Sequence, residues 1–218
     1  MTIAALLLPF ALLQAEAAPD TVTAPPVVAH SSAYVPSPRL EQCVASIEAD
    51  AAKAYEDAMA WAADTRELAA YRCAGLALIA QGRNEEGARR LESAAISAAG
   101  NPPSERAETL AQAGAGYMLA RAPARARSAY SQAIALMQND RDVMPDLLID
   151  RATAYALEED WRHSEEDLSR ALDLRPNDSV ALRLRATARM NQNVLELAEA
   201  DAQRAVTADP SSVEARLV

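Results

Sequence analysis

Residues 164–177 read SEEDLSRALDLRPN, and residues 198–211 read AEADAQRAVTADPS. The second stretch is a degenerate copy of the first at a constant offset. Asp167 aligns with Asp201, Arg170 with Arg204, Ala171 with Ala205 and Pro176 with Pro210, each pair 34 residues apart. A fixed period of this length marks a chain built from repeated supersecondary units, each too small to bury its own apolar faces.

The composition agrees. Half of the 218 residues are hydrophobic, yet only 4 % are aromatic. Alanine supplies much of that apolar total, and it is the best helix former and a poor core filler, so closely packed helices are expected. Alternating Val/Ile/Thr runs are nearly absent after residue 35, which argues against sheet. The formal net charge is −10. A nucleic-acid binder that tracks phosphates needs a basic face, and this charge opposes one.

The chain opens MTIAALLLPFALL, with no charged side chain through Leu13. The apolar run is too short to span a bilayer comfortably. Ala15 and Ala17 then stand at the two positions a signal peptidase inspects. The expectation is a signal peptide over 1–17 and export to the periplasm or beyond. The segment lacks the usual Lys or Arg, so an uncleaved membrane anchor is the alternative, and contact with a membrane is expected only in that case. Residues 18–38, rich in Pro, Ala, Val and Ser, read as a disordered linker, with His30 as a solvated side chain within it.

From Pro38 onward helical runs alternate with short breaks. Residues 145–178 show the pattern most clearly. Ala152 is the small residue where two helices cross, Tyr155 follows on the same face, Trp161 opens the second helix, Leu168 and Ala171 form its inner stripe, and Pro176 closes the unit. Small residues let the helices approach, and larger neighbours fill the holes beside them. Residues 179–212 keep Ala186, Ala198, Ala205 and Pro210, with Arg189 and Leu195 at the aromatic positions. Residues 107–140 give Gly114, Tyr117, Ala126, Tyr130 and Ala133, and residues 68–101 give Gly75, Leu78, Gly82, Gly87, Leu91 and Ala94. Between these units the turn-rich stretches 100–103 and 138–143 read as lengthened loops.

These residue types at these spacings resemble the tetratricopeptide repeat (TPR), a helix–turn–helix unit of about 34 residues. The resemblance covers about 180 residues by the repeat pattern. It implies an all-α fold, an α-solenoid of stacked antiparallel helix pairs. An atypical helical pair over 39–67 is expected to precede four repeats, with helices near 39–48 and 51–63 and Asp50 capping the second. Short secreted repeat proteins of Gram-negative bacteria are similar in this arrangement. Residues 213–218 read either as the start of a further helix or as a frayed tail.

Cys43 and Cys73 are the two cysteines. An even count behind an export signal points to a disulfide, here joining the first helix to the third. No catalytic set emerges, and no cofactor, metal site or small-molecule substrate is indicated. His163 sits beside Glu165, Glu166 and Asp167, an acidic patch suited to a helix N-terminus. The stretch Gln112-Ala113-Gly114-Ala115-Gly116 is glycine-rich but falls within a helical period, so it reads as packing and not as a phosphate loop.

In the family that the pattern resembles, the first helix of each repeat lines a concave face that takes an extended peptide. The equivalent positions here are Arg72, Leu76 and Ile79, then Ala111, Ala115, Met118 and Leu119. They continue with Asp146, Ile149, Thr153, Ala156 and Leu157, and with Arg183, Thr187, Met190 and Asn191. The Lys and Asn set with which chaperone-binding members grip a carboxylate is absent. Two readings stand side by side: a shallow apolar groove for a partner segment, or side chains that simply pack on neighbouring helices. The functional expectation is a non-enzymatic scaffold or adaptor that binds other proteins in the cell envelope. The alternative is a structural subunit of an envelope assembly that makes contact through the solenoid edges, with an enzyme as a distant third.

Overall fold

The computed structural model of the chain describes residues 35–211, and among these residues every regular element is a helix. The expected signal peptide, most of the linker and the C-terminal residues 213–218 lie outside them. The ten helices are α1 (Pro38–Ile47), α2 (Ala51–Thr65), α3 (Leu68–Ala80), α4 (Asn84–Ser97), α5 (Pro103–Leu119), α6 (Pro123–Leu136), α7 (Met144–Leu157), α8 (Trp161–Leu174), α9 (Ser179–Asn191) and α10 (Leu195–Ala208). Pro38, assigned from sequence to the end of the linker, is the first residue of α1.

The helix starts follow local chemistry. Asp50 accepts from the amides of Ala52 and Lys53, which caps α2 as the sequence suggests. Asp160 and Asp178 cap α8 and α9 in the same way. Pro38, Pro103 and Pro123 stand at the first helical position, where the missing N–H is not needed.

The turns within the helix pairs repeat as well. Gly82, Arg121, Glu159 and Asn193 all have positive φ, between 56° and 78°. In each case the next amide reaches back to a carbonyl five residues before it: Arg83 to Leu78, Ala122 to Tyr117, Asp160 to Tyr155 and Val194 to Arg189. This is the Schellman closure, which satisfies carbonyls that a helix end would otherwise leave open. One turn geometry therefore reverses the chain four times and sets each second helix antiparallel to its first.

Each helix packs on its neighbours in sequence, and α1 also touches α3. Close crossings explain the small residues. A Cβ on Gly87 would lie 2.6 Å from the carbonyl oxygen of Gly75, and one on Gly114 would lie 2.6 Å from the ring of Tyr130. The stretch 112–116 is inside α5, where Gly114 and Gly116 admit their neighbours. The largest apolar cluster runs from α4 to α8 through Leu91, Leu110, Tyr117, Tyr130, Leu147 and Ala171. A second gathers Leu40, Ala58, Trp61 and Cys73 at the N-terminal end, and a third gathers Leu168, Leu172, Leu182 and Ala205 towards the other end.

A disulfide joins Cys43 on α1 to Cys73 on α3, with the Cα atoms 6.2 Å apart. Helix α1 is only 10 residues long. The bond ties this short helix to the first regular pair.

Candidate functional site: the first-helix face

The helices α3, α5, α7 and α9 each open a pair, and their common face carries the candidate positions. The face changes character along the stack. At the N-terminal end Arg72 is 5 % exposed. It donates through Nε to Gln112 at 2.8 Å and through Nη2 to Glu108 at 3.0 Å. It thus bridges α3 to α5 and offers little free surface. A cavity of about 370 Å³ lies beside it, between α1, α3 and α5, with Leu40, Val44 and Leu76 in its walls.

The middle of the face is filled in. Leu76, Ile79 and Met118 pack against the main cluster, and Ala111 belongs to it. The Ile79 side chain occupies the space above Gly87 and Gly116. Ala115 and Leu119 are half-buried. At these positions the packing reading describes the geometry well.

The C-terminal half is more open. Asp146 is engaged by Arg175 at 2.5 Å, and Ile149 is half-buried against two clusters. Thr153 and Thr187 turn their hydroxyls back onto the carbonyls of Ile149 and Arg183 at 2.9 and 3.1 Å. Their donors are satisfied within the helix. Ala156 is half-buried. Leu157, Val180 and Met190 are 59 %, 46 % and 47 % exposed. Arg183 is half-buried and has no ion-pair partner among the described residues. Asn191 donates to the Thr187 carbonyl at 2.8 Å. On α7 and α9, therefore, Leu157, Met190 and Asn191 are exposed, and Thr153, Arg183 and Thr187 are half-buried.

A set of ion pairs fastens the helices of this half to one another. Arg151 on α7 grips Asp167 on α8 and donates to Ser131 on α6 at 3.0 Å. Arg185 on α9 grips Asp201 on α10 and donates to Ser169 on α8 at 3.1 Å. Each arginine fastens three helices. Arg189, at the position of an aromatic in the preceding unit, bridges Glu165 and Asp201, both at 2.7 Å. The recurrence of Arg151 and Arg185 at 34 residues was the available signal for this network.

His163 is part of a local cap. Its Nδ1 lies 2.6 Å from Asp160 and its ring stacks on Tyr155 with centroids 5.1 Å apart. Among the described residues no group of three metal-ligating side chains converges, and no helix is long and apolar enough to cross a membrane.

No family model matches the chain, and no curated protein matches it in sequence. Solved structures do match it in shape. YrrB, described as a TPR protein with an unusual peptide-binding site, is similar at a TM-score of 0.64 and 17 % identity, over 82 % of this chain and 86 % of that one. MamA of strain AMB-1 is similar at 0.61 and 19 % identity, over 82 % and 94 %. PilF of Pseudomonas aeruginosa is similar at 0.61 and 20 % identity, over 82 % and 78 %. At these identities the likeness is one of fold, and the fold of this chain is that of a TPR solenoid.

Proposed function

We propose that this TPR solenoid is a non-enzymatic interaction scaffold that holds a segment of a partner protein against α7 and α9. One observation carries the reading. Leu157 and Met190 stand exposed at the C-terminal ends of two neighbouring first helices, which half-buried Arg–Asp pairs fasten to their partner helices. Exposed apolar side chains on a rigid surface are the usual basis for holding a partner segment. Arg183 adds a cation without a partner in the described chain, which suits a segment carrying one acidic group. The peptide-binding description of YrrB is in keeping with such a role for the fold. The sequence of the N-terminus supports export, and the setting we infer is the cell envelope.

Affinity capture after crosslinking in the native host tests the reading. The parent protein is compared with a Thr153→Glu/Thr187→Glu variant, and bound proteins are identified by mass spectrometry. A partner retained by the parent and lost from the folded variant supports the first-helix face. A partner retained by both moves the contact to the edges of the solenoid, where Leu195 and Leu197 are exposed on α10.

A further inference from the structure

We propose a second binding site: the cleft between α4 and the α2–α3 junction takes an extended acidic peptide segment. The cleft encloses about 750 Å³. Arg66, Arg89 and Arg90 line it, with Tyr71, Ser93 and Asn101. The one carboxylate in its walls, Glu86, is taken by Arg83 through two hydrogen bonds of 2.9 and 2.8 Å.

The state of Arg90 is the strongest sign. Its Nη1 and Nη2 rest 3.3 Å from the Met59 sulfur and the Tyr55 hydroxyl, both weak, uncharged acceptors. The guanidinium lies 5.5 Å from the Tyr55 ring centre. Its Nε is buried and has no hydrogen-bond partner among the described residues. A buried donor without an acceptor is uncommon in native proteins and calls for an explanation. Arg90 is thus held in place by an aromatic ring and a thioether, with no carboxylate paired to it among the described residues. Arg66 and Arg89 likewise have no ion-pair partner among the described residues. The chain as a whole carries ten more acidic than basic charges. Three guanidinia without carboxylates around one cleft are therefore a local inversion of its balance, and they suit an anionic ligand.

The shape selects among anions. Glu86, Arg90, Ser93 and Ser97 all line the cleft from α4, spanning three turns. At 1.5 Å per residue that is a trough of about 16 Å, the length of about five residues of extended chain. Leu68, Ala94 and Ala98 add apolar wall. A free inorganic anion would fill one corner of this trough. A peptide alternating acidic and apolar side chains would fill its length.

Selection from a library of blocked, random hexapeptides by the full chain tests the site. Bound peptides should be enriched in Asp and Glu over Asn and Gln by about tenfold, the scale of one charge-assisted contact. An Arg66→Asn/Arg89→Gln variant should lose that enrichment. Both side chains are exposed, and asparagine tolerates the left-handed backbone of residue 66, so the variant keeps the parent's melting curve. The Thr153→Glu/Thr187→Glu variant should keep the enrichment, which separates this site from the first-helix face. No acidic enrichment, or enrichment unchanged in the arginine variant, overturns the proposal. So does inorganic phosphate shifting the amide resonances of α4 while no peptide is retained.

Discussion

Arg151 donates Nε to Asp167 Oδ2 at 2.7 Å and Nη2 to Oδ1 at 2.8 Å, and 34 residues later Arg185 does the same to Asp201 at the same two distances. Neither earlier unit has a member of this clamp at the corresponding positions: Ala113 and Ala129 stand there in one, Ala74 and Arg90 in the other. The bidentate clamp thus belongs to the two C-terminal units, and the tight glycine crossings at Gly75, Gly87 and Gly114 to the two before them. Burying such a pair is costly, and its members tolerate the loss of a partner badly. Asp167→Ala should therefore destabilise the protein by about 3 kcal/mol, because it leaves the half-buried Arg151 without its carboxylate. An Arg151→Met/Asp167→Leu double variant should recover most of that loss. Urea unfolding of the three proteins measures both, and equal losses in single and double variants would contradict the clamp.

The disulfide should act locally. Cys43 and Cys73 are 30 residues apart, and closing a loop of that size stabilises by about 2–4 kcal/mol, chiefly by restricting the unfolded chain. Cys73 lies in the N-terminal cluster with Leu40 and Trp61. Reduction should abolish amide-exchange protection in α1 and leave α5 to α8 protected, since solenoid units open from their ends.

Three of the four Schellman turns place a non-glycine residue at positive φ. That conformation crowds a Cβ against the backbone. Arg121→Gly and Glu159→Gly should each raise stability by about 0.5–1 kcal/mol, and Gly82→Ala should lower it by about 1 kcal/mol. Thermal melts of the three variants check the signs.

Crowding a crossing should be more damaging. Ala171 is fully buried in the main cluster, and a Cβ on Gly87 would meet backbone that cannot move aside. Gly87→Ala should cost about 1–3 kcal/mol, and Ala171→Arg should cost more because it also buries a charge. A melting temperature for Ala171→Arg within a degree or two of the parent would contradict the packing described.

Alkaline pH should weaken the fold. Burial first, and then the hydrogen bond donated to Glu92, hold the Tyr117 phenol above its ordinary value of 10.0. Burial first, and then the charge of Asp150, raise Tyr130 well above the same value. A raised value in the folded state favours the neutral form. The stability these groups contribute is present below pH 10 and is lost as the pH rises towards their folded values, because the unfolded phenols ionise first. Urea midpoints measured across this range should fall in the parent and fall less in a Tyr117→Phe/Tyr130→Phe variant.

Much of the architecture was legible in the sequence. Ala152, Ala171 and Pro176 recur because helix crossings and turns impose fixed residue types, and Asp50 caps a helix by chemistry local to four residues. The disulfide was legible because two cysteines leave one pairing. Contacts that join different units were not. Arg72 reads as a ligand-facing residue, but Glu108 and Gln112, which engage it, lie 36 and 40 residues away on the next first helix. Ser131, which completes the Arg151 clamp, is 20 residues upstream on α6. The arginine cleft draws on residues from the end of α2 to the loop after α4, and no periodicity relates them.

The central claim is that the exposed face of α7 and α9 holds a partner segment. A photo-crosslinking amino acid placed at Met190 tests it most directly, with Gln203 on the second helix of the same pair as the comparison. A specific crosslinked partner is expected in the native host from Met190 and none from Gln203. A crosslink from Gln203 with none from Met190 would contradict it and place the partner on the outer helices.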